Sequence, residues 1–271
     1  MLEILGLFGF GLTVGLYGTL VGIGGGPLLI PMLTIFYDLP PATVVATSIS
    51  VVFLNALSGS IAYFEQRRTD LVSGTIFGIV TIPASVAAYF LLASISHKTF
   101  ETGFAVFLLC MAAYLLARKT PTDLPAHDAE SRTGILTRLS PRRVVDAQGN
   151  VFTFFIDEPL GGLINVVFGF VTSLLGIGGG ILQVPALVFL LRMPVHVATA
   201  TAHYITAVNA GFTLIPLLFF GHADPKLTLW LGVGAVLGAR LGARFSIKFR
   251  GDTLLRMLAA ALVVAGFWML R

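Results

Sequence analysis

Hydrophobic positions run in long blocks separated by short polar breaks, and two of those blocks have an awkward length. Residues 4–37 and 160–191 carry no charged side chain. Each block is too long for one membrane span of ~20 residues and too short for two spans with a turn. Inside each lies a glycine triplet, Gly24–Gly26 or Gly178–Gly180, with a proline five residues beyond at Pro31 or Pro185. Such residues release backbone groups from the helix ladder, and in lipid those groups persist only where buried in protein or facing water. Each block therefore predicts a broken or re-entrant pair of short helices meeting at its triplet. Three further apolar segments follow in each half, predicting helices near 42–64, 70–93 and 99–117, then 196–218, 226–246 and 252–270. The spans are read as free of Asp and Glu.

The two halves are copies of one another. Val21-Gly22-Ile23-Gly24-Gly25-Gly26-Pro27-Leu28 returns as Leu175-Gly176-Ile177-Gly178-Gly179-Gly180-Ile181-Leu182, 154 positions later counted from Gly26 to Gly180. The register persists downstream: Pro40 matches Pro194, Ala46-Thr47 matches Ala200-Thr201, and Asn55-Ala56 matches Asn209-Ala210. Residues 1–117 are read as the first transmembrane repeat, 118–159 as a polar linker and 160–271 as the second repeat. Within the linker, two β-prone runs flank the turn formers of Val144-Val145-Asp146-Ala147-Gln148-Gly149-Asn150-Val151-Phe152 and predict a short β-hairpin.

Basic residues orient this arrangement. If each broken pair returns to its starting side, the halves are inverted, and 14 of the 17 Lys and Arg lie on the linker side with 3 opposite. If each pair crosses once, the halves are parallel and the split is 10 to 7. Cytoplasmic loops carry the excess of Lys and Arg, which favours inversion with a cytoplasmic central loop. The fold class expected is an all-α polytopic membrane protein of two inverted repeats, each a broken or re-entrant helix pair plus three transmembrane helices.

Composition agrees. Hydrophobic residues make up 56% of the chain and charged residues 11%, against about a quarter charged in a soluble domain. The mean hydropathy is +0.92. Glu3 occupies the place of a basic n-region, so the first segment is not expected to be a cleaved signal peptide. Cys110, the only cysteine, sits between Leu109 and Met111 and permits no disulfide within the chain. The formal charge of +4 belongs to loops between apolar runs and reads as orientation in the membrane, with no nucleic-acid partner. No P-loop lysine motif is present, and scattered histidines without carboxylates make no metal site.

Candidate chemistry gathers at the breaks. A helix that starts after a glycine triplet presents unpaired N–H groups and the positive end of its dipole, and glycine lets an anion approach closely. Two such termini hold an anion without a buried cation. Tight packing by small residues is the alternative and suffices for one triplet; two triplets in runs of the wrong length favour binding. The substrate-binding candidates are Gly24, Gly25, Gly26, Thr47, Ser48 and Asn55 in the first half, and Gly178, Gly179, Gly180, Gln183, Thr201, His203 and Asn209 in the second. Ser50, Tyr204 and Thr206 accompany them. Interhelical bonding competes as a reading for Asn55 and Asn209, and back-bonding to a preceding carbonyl for Thr47 and Thr201. His203 faces Ile49 in the repeat alignment and is either a protonation gate or a neutral, hydrogen-bonded imidazole. His196 and His222 fall near segment ends. Arg240 and Arg244 are read as snorkelling to headgroups rather than lining a pathway. An intramembrane enzyme would need a nucleophile–base pair or two nearby acids, which the spans do not offer.

At these residues the sequence resembles the TauE/SafE sulfite-exporter family. The resemblance rests on Gly22-Ile23-Gly24-Gly25-Gly26 with Pro31, its copy Gly176-Ile177-Gly178-Gly179-Gly180 with Pro185, the Ala46-Thr47 and Ala200-Thr201 helix starts, and Val144-Val145-Asp146-Ala147-Gln148-Gly149-Asn150. It implies a secondary transporter in the cell inner membrane that exports a small sulfur-containing oxyanion such as sulfite, sulfoacetate or a related organosulfonate. No cofactor is implied. The partners are that anion and the lipid bilayer, with a homodimer left open. A carrier or channel for a different small anion, such as a carboxylate, is the alternative.

Overall fold

The computed structural model describes residues 2–37, 39–92, 96–117, 139–220 and 223–269. The first half contains α1 (Leu2–Val21), α2 (Gly26–Tyr37), α3 (Pro41–Glu65), α4 (Leu71–Leu92) and α5 (His97–Ala117). Strands β1 (Leu139–Val145) and β2 (Val151–Asp157) lead into α6 (Glu158–Leu174) and α7 (Gly180–Pro185). The latter runs on as a π-helical turn over Ala186–Leu190. Then come α8 (Val195–Phe220), α9 (Pro225–Ser246) and α10 (Gly251–Met269).

Among the described residues, α1, α3, α4, α5 and α10 are long and apolar enough to cross a membrane. The exterior is apolar, and polar side chains are gathered inside within a larger apolar core. Phe36, Ile79, Phe90, Leu163, Phe219, Val264 and Phe267 are exposed, whereas Thr19, Ser48, Asn55, Gln183, His203 and Asn209 are buried. Exposure of so many large apolar side chains, with polar ones kept inside, suits a solvent that offers no hydrogen bonds.

Three expectations change. First, α1 is not a short half-helix. Its 20 residues form one uninterrupted span, because the chain first departs from helical φ at Gly22. Second, α5 contains Glu101 and α10 contains Asp252. Asp252 lies in the first turn of α10 and Glu101 just past the first turn of α5, near helix ends where a charge reaches the membrane surface, so these spans lack acids in their middles. Third, the hairpin is longer than its sequence pattern suggests. It pairs Leu139 with Asp157 through to Val145 with Val151, and Asp157 then caps α6 by accepting from the Leu160 amide at 3.1 Å. Linker residues 118–138 lie outside the described residues.

Glycine sets the helix spacing. Helix α1 packs along α9 with Gly234, Gly238 and Gly242 against the backbone of α1, and Gly11 and Gly15 against the backbone of α9. The matching pair is α6 on α4, where Gly161 lies against Phe77 and Gly169 against Thr81 and Ser85. Helices α3 and α8 cross at the centre, α3 also packing on α9 and α8 on α4.

The hairpin is tied to the end of α3. The Ala147 amide donates to the Gln66 carbonyl at 2.9 Å, and Arg142 pairs with Glu158 and, at 3.6 Å, with Asp70. In its turn, the Asp146 carboxylate accepts from the amides of Gln148 and Asn150 at 3.0 and 2.7 Å and from the Asn150 side chain at 2.9 Å. Burial opposes ionisation of Asp146, but these bonds and the nearby Arg68 charge outweigh it and hold the carboxyl below its usual range. A depressed carboxyl contributes stability that is full above the unfolded pKa of about 3.9 and lost as pH falls through the folded value. Protection of the Gln148 and Asn150 amides from exchange is thus expected to persist down to about pH 4 and to fall only below it. In Asp146→Ala it is expected to be weak at every pH.

Candidate functional site

The two breaks have one geometry. Gly22, Gly24 and Gly25 adopt φ of 87°, 74° and 89°, and their counterparts Gly176, Gly178 and Gly179 adopt 71°, 80° and 113°. Side chains with a Cβ rarely take this region, so the positions demand glycine. In the first break the amides of Gly22, Ile23 and Gly24 all turn back on the Gly18 carbonyl, at 2.9, 2.8 and 3.3 Å. The third glycine of each triplet, Gly26 or Gly180, is already the first helical residue.

These third glycines bring the breaks together. A Cβ added to Gly26 would fall 2.6 Å from the Ile177 Cα, and one added to Gly180 would fall 2.5 Å from the Ile23 Cα. Ile23 and Ile177 are themselves offset-matched, so the breaks abut backbone to backbone through reciprocal contacts. Val52 of α3 and Thr206 of α8, also a matched pair, both close over Gly24 and Gly178. All six triplet glycines are buried. The packing role of these glycines is therefore real.

Around the breaks the polar side chains divide by half. In the first, Asn55 donates its Nδ2 to the Gly24 carbonyl at 2.8 Å. The Thr19 hydroxyl donates to Asn55 Oδ1 at 3.1 Å and lies 3.2 Å from His203 Nε2. Because the single Thr19 proton goes to Asn55, His203 donates to Thr19 through Nε2, with Nδ1 as the ring's other nitrogen. That Nδ1 has no partner. Tyr63 completes the group by donating to the Thr19 carbonyl at 2.7 Å. In the second half, Thr206 donates to Gln183 Oε1 at 3.4 Å, and Thr213 lies 3.4 Å from Asn209 Oδ1. Here Gln183 Nε2 and Asn209 Nδ2 are buried without partners.

Other candidates are engaged elsewhere. Thr47 accepts from the Asp224 amide and Thr201 from the Asp70 amide, each at 3.0 Å, so both hydroxyls brace the start of a helix in the opposite half. Neither makes the back-bond considered for it. Ser48 donates to the Gly176 carbonyl at 2.8 Å and Ser50 back-bonds to the Ala46 carbonyl at 2.8 Å. Tyr204 meets Thr75 at 3.1 Å. Arg240 and Arg244 are exposed, as snorkelling requires. His196 is half-buried in the first turn of α8; His222 lies outside the described residues.

Several participants escaped the sequence reading. Thr19 and Ser173, and likewise Asp70 and Asp224, are matched at the repeat offset, which is the signal that marks them. Asp70 and Asp224 cap α4 and α9 through the amides of Ser73 and Leu227 at 3.3 and 2.9 Å. Arg68 is buried at the end of α3, bonded to Gln66 Oε1 and Ser246 at 3.2 and 3.3 Å, and no motif identifies it.

The matched asparagines should respond differently to mutation. Asn55→Leu leaves the Gly24 carbonyl without its side-chain donor and the Thr19 hydroxyl with only His203 as a partner, an expected loss of about 1–3 kcal/mol. Asn209→Leu removes an amide nitrogen that has no partner, so the expected fall in thermal unfolding midpoint is the smaller of the two. Thermal unfolding in detergent makes the comparison.

An apolar exterior, helices long and apolar enough to cross a membrane and two abutting backbone breaks define a polytopic membrane protein with interrupted helices. The family model for the sulfite exporter TauE/SafE matches residues 7–269, and the chain belongs to that family. It is 28% identical over 263 residues to the "probable membrane transporter protein YunE" of Bacillus subtilis, covering 94% of this chain and 93% of the relative. A "probable membrane transporter protein" of Methanocaldococcus jannaschii is 26% identical over 289 residues, covering 100% of this chain and 96% of the relative. YjnA of Bacillus subtilis, with the same description, is 27% identical over 260 residues, covering 94% of this chain and 95% of that one. No solved structure matches. Membership of this family places the chain among membrane transport proteins rather than enzymes.

Proposed function

We propose that this chain is a secondary transporter that exports a small sulfur-containing oxyanion, such as sulfite, sulfoacetate or a related organosulfonate, across the cell inner membrane by alternating access. The observation that carries this reading is the pair of glycine breaks, abutting inside the protein, with buried polar side chains around them and no charged residue in either block. Such interrupted helices at a repeat interface are where secondary transporters hold their solutes.

The reading takes the halves, 1–117 and 160–271, as inverted. Two sets of contacts support inversion. Glu3 at the start of α1 pairs with Lys226, in the first turn of α9, at 2.9 Å, and Phe36 at the end of α2 lies edge-on to Trp268 near the end of α10, which supports a broken pair that returns to its starting end. Helix α3 meets Asp224, at the start of α9, through Thr47 in its second turn, whereas its own far end leads to Asp70 at the start of α4. Helices α4 and α9 thus begin at opposite ends of α3. Gln66, Arg68, Arg142 and Ala243–Ser246 meet at the hairpin end, where Arg67, Arg143, Lys248 and Arg250 also lie in sequence. The excess of basic residues marks that end as cytoplasmic.

In this conformation the breaks are buried against one another, an occluded arrangement, and transport requires them to part toward each side in turn. Outward movement of one negative charge gains about 2.3 kcal/mol per 100 mV when the cytoplasm is negative, so export of an anion needs no ATP. The test is flux from liposomes containing the purified protein and loaded with sulfite or sulfoacetate under an imposed potential. Potential-dependent efflux absent from protein-free liposomes is expected; none for any sulfur oxyanion would refute the substrate assignment.

A further inference from the structure

We propose that the anion is held at the second break alone, by Gln183, Asn209 and the amides of Gly178–Ile181, and that this donor-only cradle selects oxyanions that carry no proton. This inference rests on the anion-transport reading above and adds which half binds and what chemistry it accepts.

The first observation is a pair of orphan donors. Gln183 and Asn209 are 1% and 0% exposed, yet Gln183 Nε2 and Asn209 Nδ2 have no acceptor. A buried N–H without a partner is costly, and native proteins rarely leave one unless something else fills the place. The Gln183 amide is also aimed at the break. A Cβ added to Gly179 would stand 3.1 Å from its Nε2, while its Oε1 is turned to Thr206. Asn209 lies one helical turn beyond Thr206, whose methyl group closes over Gly178.

The backbone supplies the rest. The amides of Leu182 and Gln183 bond to the Gly179 carbonyl at 3.2 and 3.3 Å, and among the described residues those of Gly178, Gly179, Gly180 and Ile181 have no acceptor. They open the continuous helix Gly180–Leu190. Successive free amides at a helix start, with glycine leaving access, form an anion-binding concavity.

The first break keeps free amides at Gly25 and Gly26 but lacks the other parts of this arrangement. Leu29 stands where the second has Gln183, and Pro27, which has no N–H, stands where the second has Ile181. Asn55 has already given its Nδ2 to the Gly24 carbonyl at 2.8 Å, the bond that Asn209 does not make. The side-chain donor of the first break is spent within it, and those of its copy are free.

The cradle offers donors and no charge. Residues 160–191 and 195–220 contain no Asp, Glu, Lys or Arg, so the solute must bring both the negative charge and the acceptors. A sulfonate, whose oxygens only accept, satisfies every donor. Hydrogen phosphate brings an O–H that meets no carboxylate and only the Gln183 and Asn209 amide oxygens, which already face the Thr206 and Thr213 hydroxyls at 3.4 Å, and that poorer match is where discrimination arises.

Binding to the purified full-length protein tests this, with sulfoacetate and inorganic phosphate as probes in calorimetric titrations. The wild type is expected to bind sulfoacetate at least about tenfold more tightly than phosphate. Gln183→Leu, which copies the first break, and Gln183→Glu, which keeps the shape but replaces the donor with a negative charge, are each expected to lose about tenfold or more. Leu29→Gln is expected to leave affinity unchanged. Size-exclusion profiles and unfolding midpoints establish that the variants fold. If both Gln183 variants bind as the wild type does, or Leu29→Gln changes affinity as much as they do, the site is not at the second break. Equal affinity for phosphate would refute the donor-only selectivity. Absence of any sulfur-oxyanion binding to the wild type would overturn the transport reading itself, and this inference with it.

Discussion

Gly180→Ala, and equally Gly26→Ala, is expected to abolish flux and to lower the thermal unfolding midpoint by several degrees. The new methyl group at position 180 would lie 2.5 Å from the Ile23 Cα, and that at position 26 would lie 2.6 Å from the Ile177 Cα. Backbone atoms cannot swing aside as a side-chain tip can, so the breaks must separate or the helices behind them must shift. Overpacking of this kind costs about 1–3 kcal/mol, and a shift of one break relative to the other moves every donor the breaks present. Gly103→Ala in α5 is the control. Nothing lies within 4 Å of a Cβ there, and alanine in a helix interior is favoured over glycine by up to about 1 kcal/mol. Unfolding midpoints and liposome flux measured side by side separate loss of function from loss of fold. Wild-type flux in both break variants would show that the close approach of the two breaks is not required.

A second substitution, Gly238→Val, is expected to prevent accumulation of folded protein. Helix α1 lies on a stripe of α9 formed by Gly234, Gly238 and Gly242, and a Cβ at Gly238 would stand 2.6 Å from the Leu16 amide nitrogen. In a bilayer, separated helices recover contacts with lipid, so helix pairs are held by close backbone approach rather than by hydrophobic expulsion. A branched side chain in mid-stripe removes that approach along the whole interface. The measurement is the monodisperse fraction after detergent extraction. It should fall severalfold for Gly238→Val and stay near wild type for Gly103→Ala. An intact peak for Gly238→Val would mean that the α1–α9 contact contributes little to the fold.

Much of this architecture was legible in the chain. The helix boundaries fell within a few residues of their expected places, because long apolar runs bounded by charge leave few alternatives in a membrane. The interruptions expected at Gly24–Gly26 and Gly178–Gly180 were legible for a similar reason, positive φ being a demand made on one residue at a time that glycine meets, although in the structure they begin two residues earlier, at Gly22 and Gly176. The full length of α1 was not legible, since an uncharged run shows how much chain is apolar without showing where within it the helix stops. The hairpin beyond residues 144–152 was hidden because Pro141 and the arginines of β1 obscure a strand whose partner is only found by pairing.

The residues at the breaks divide along the same line. Repetition at a fixed offset marked Thr47 with Thr201 and Asn55 with Asn209 as pairs, and nothing in either identity distinguishes their members. In three dimensions the threonines turn away to hold Asp224 and Asp70, while one asparagine closes a break and the other does not. Residue type and period can be read from the linear order because sterics and hydropathy act locally. Whether a given amide finds an acceptor depends on ångström-scale distances between segments more than 100 residues apart, such as Ser48 and Gly176, and those distances exist only once the helices have packed.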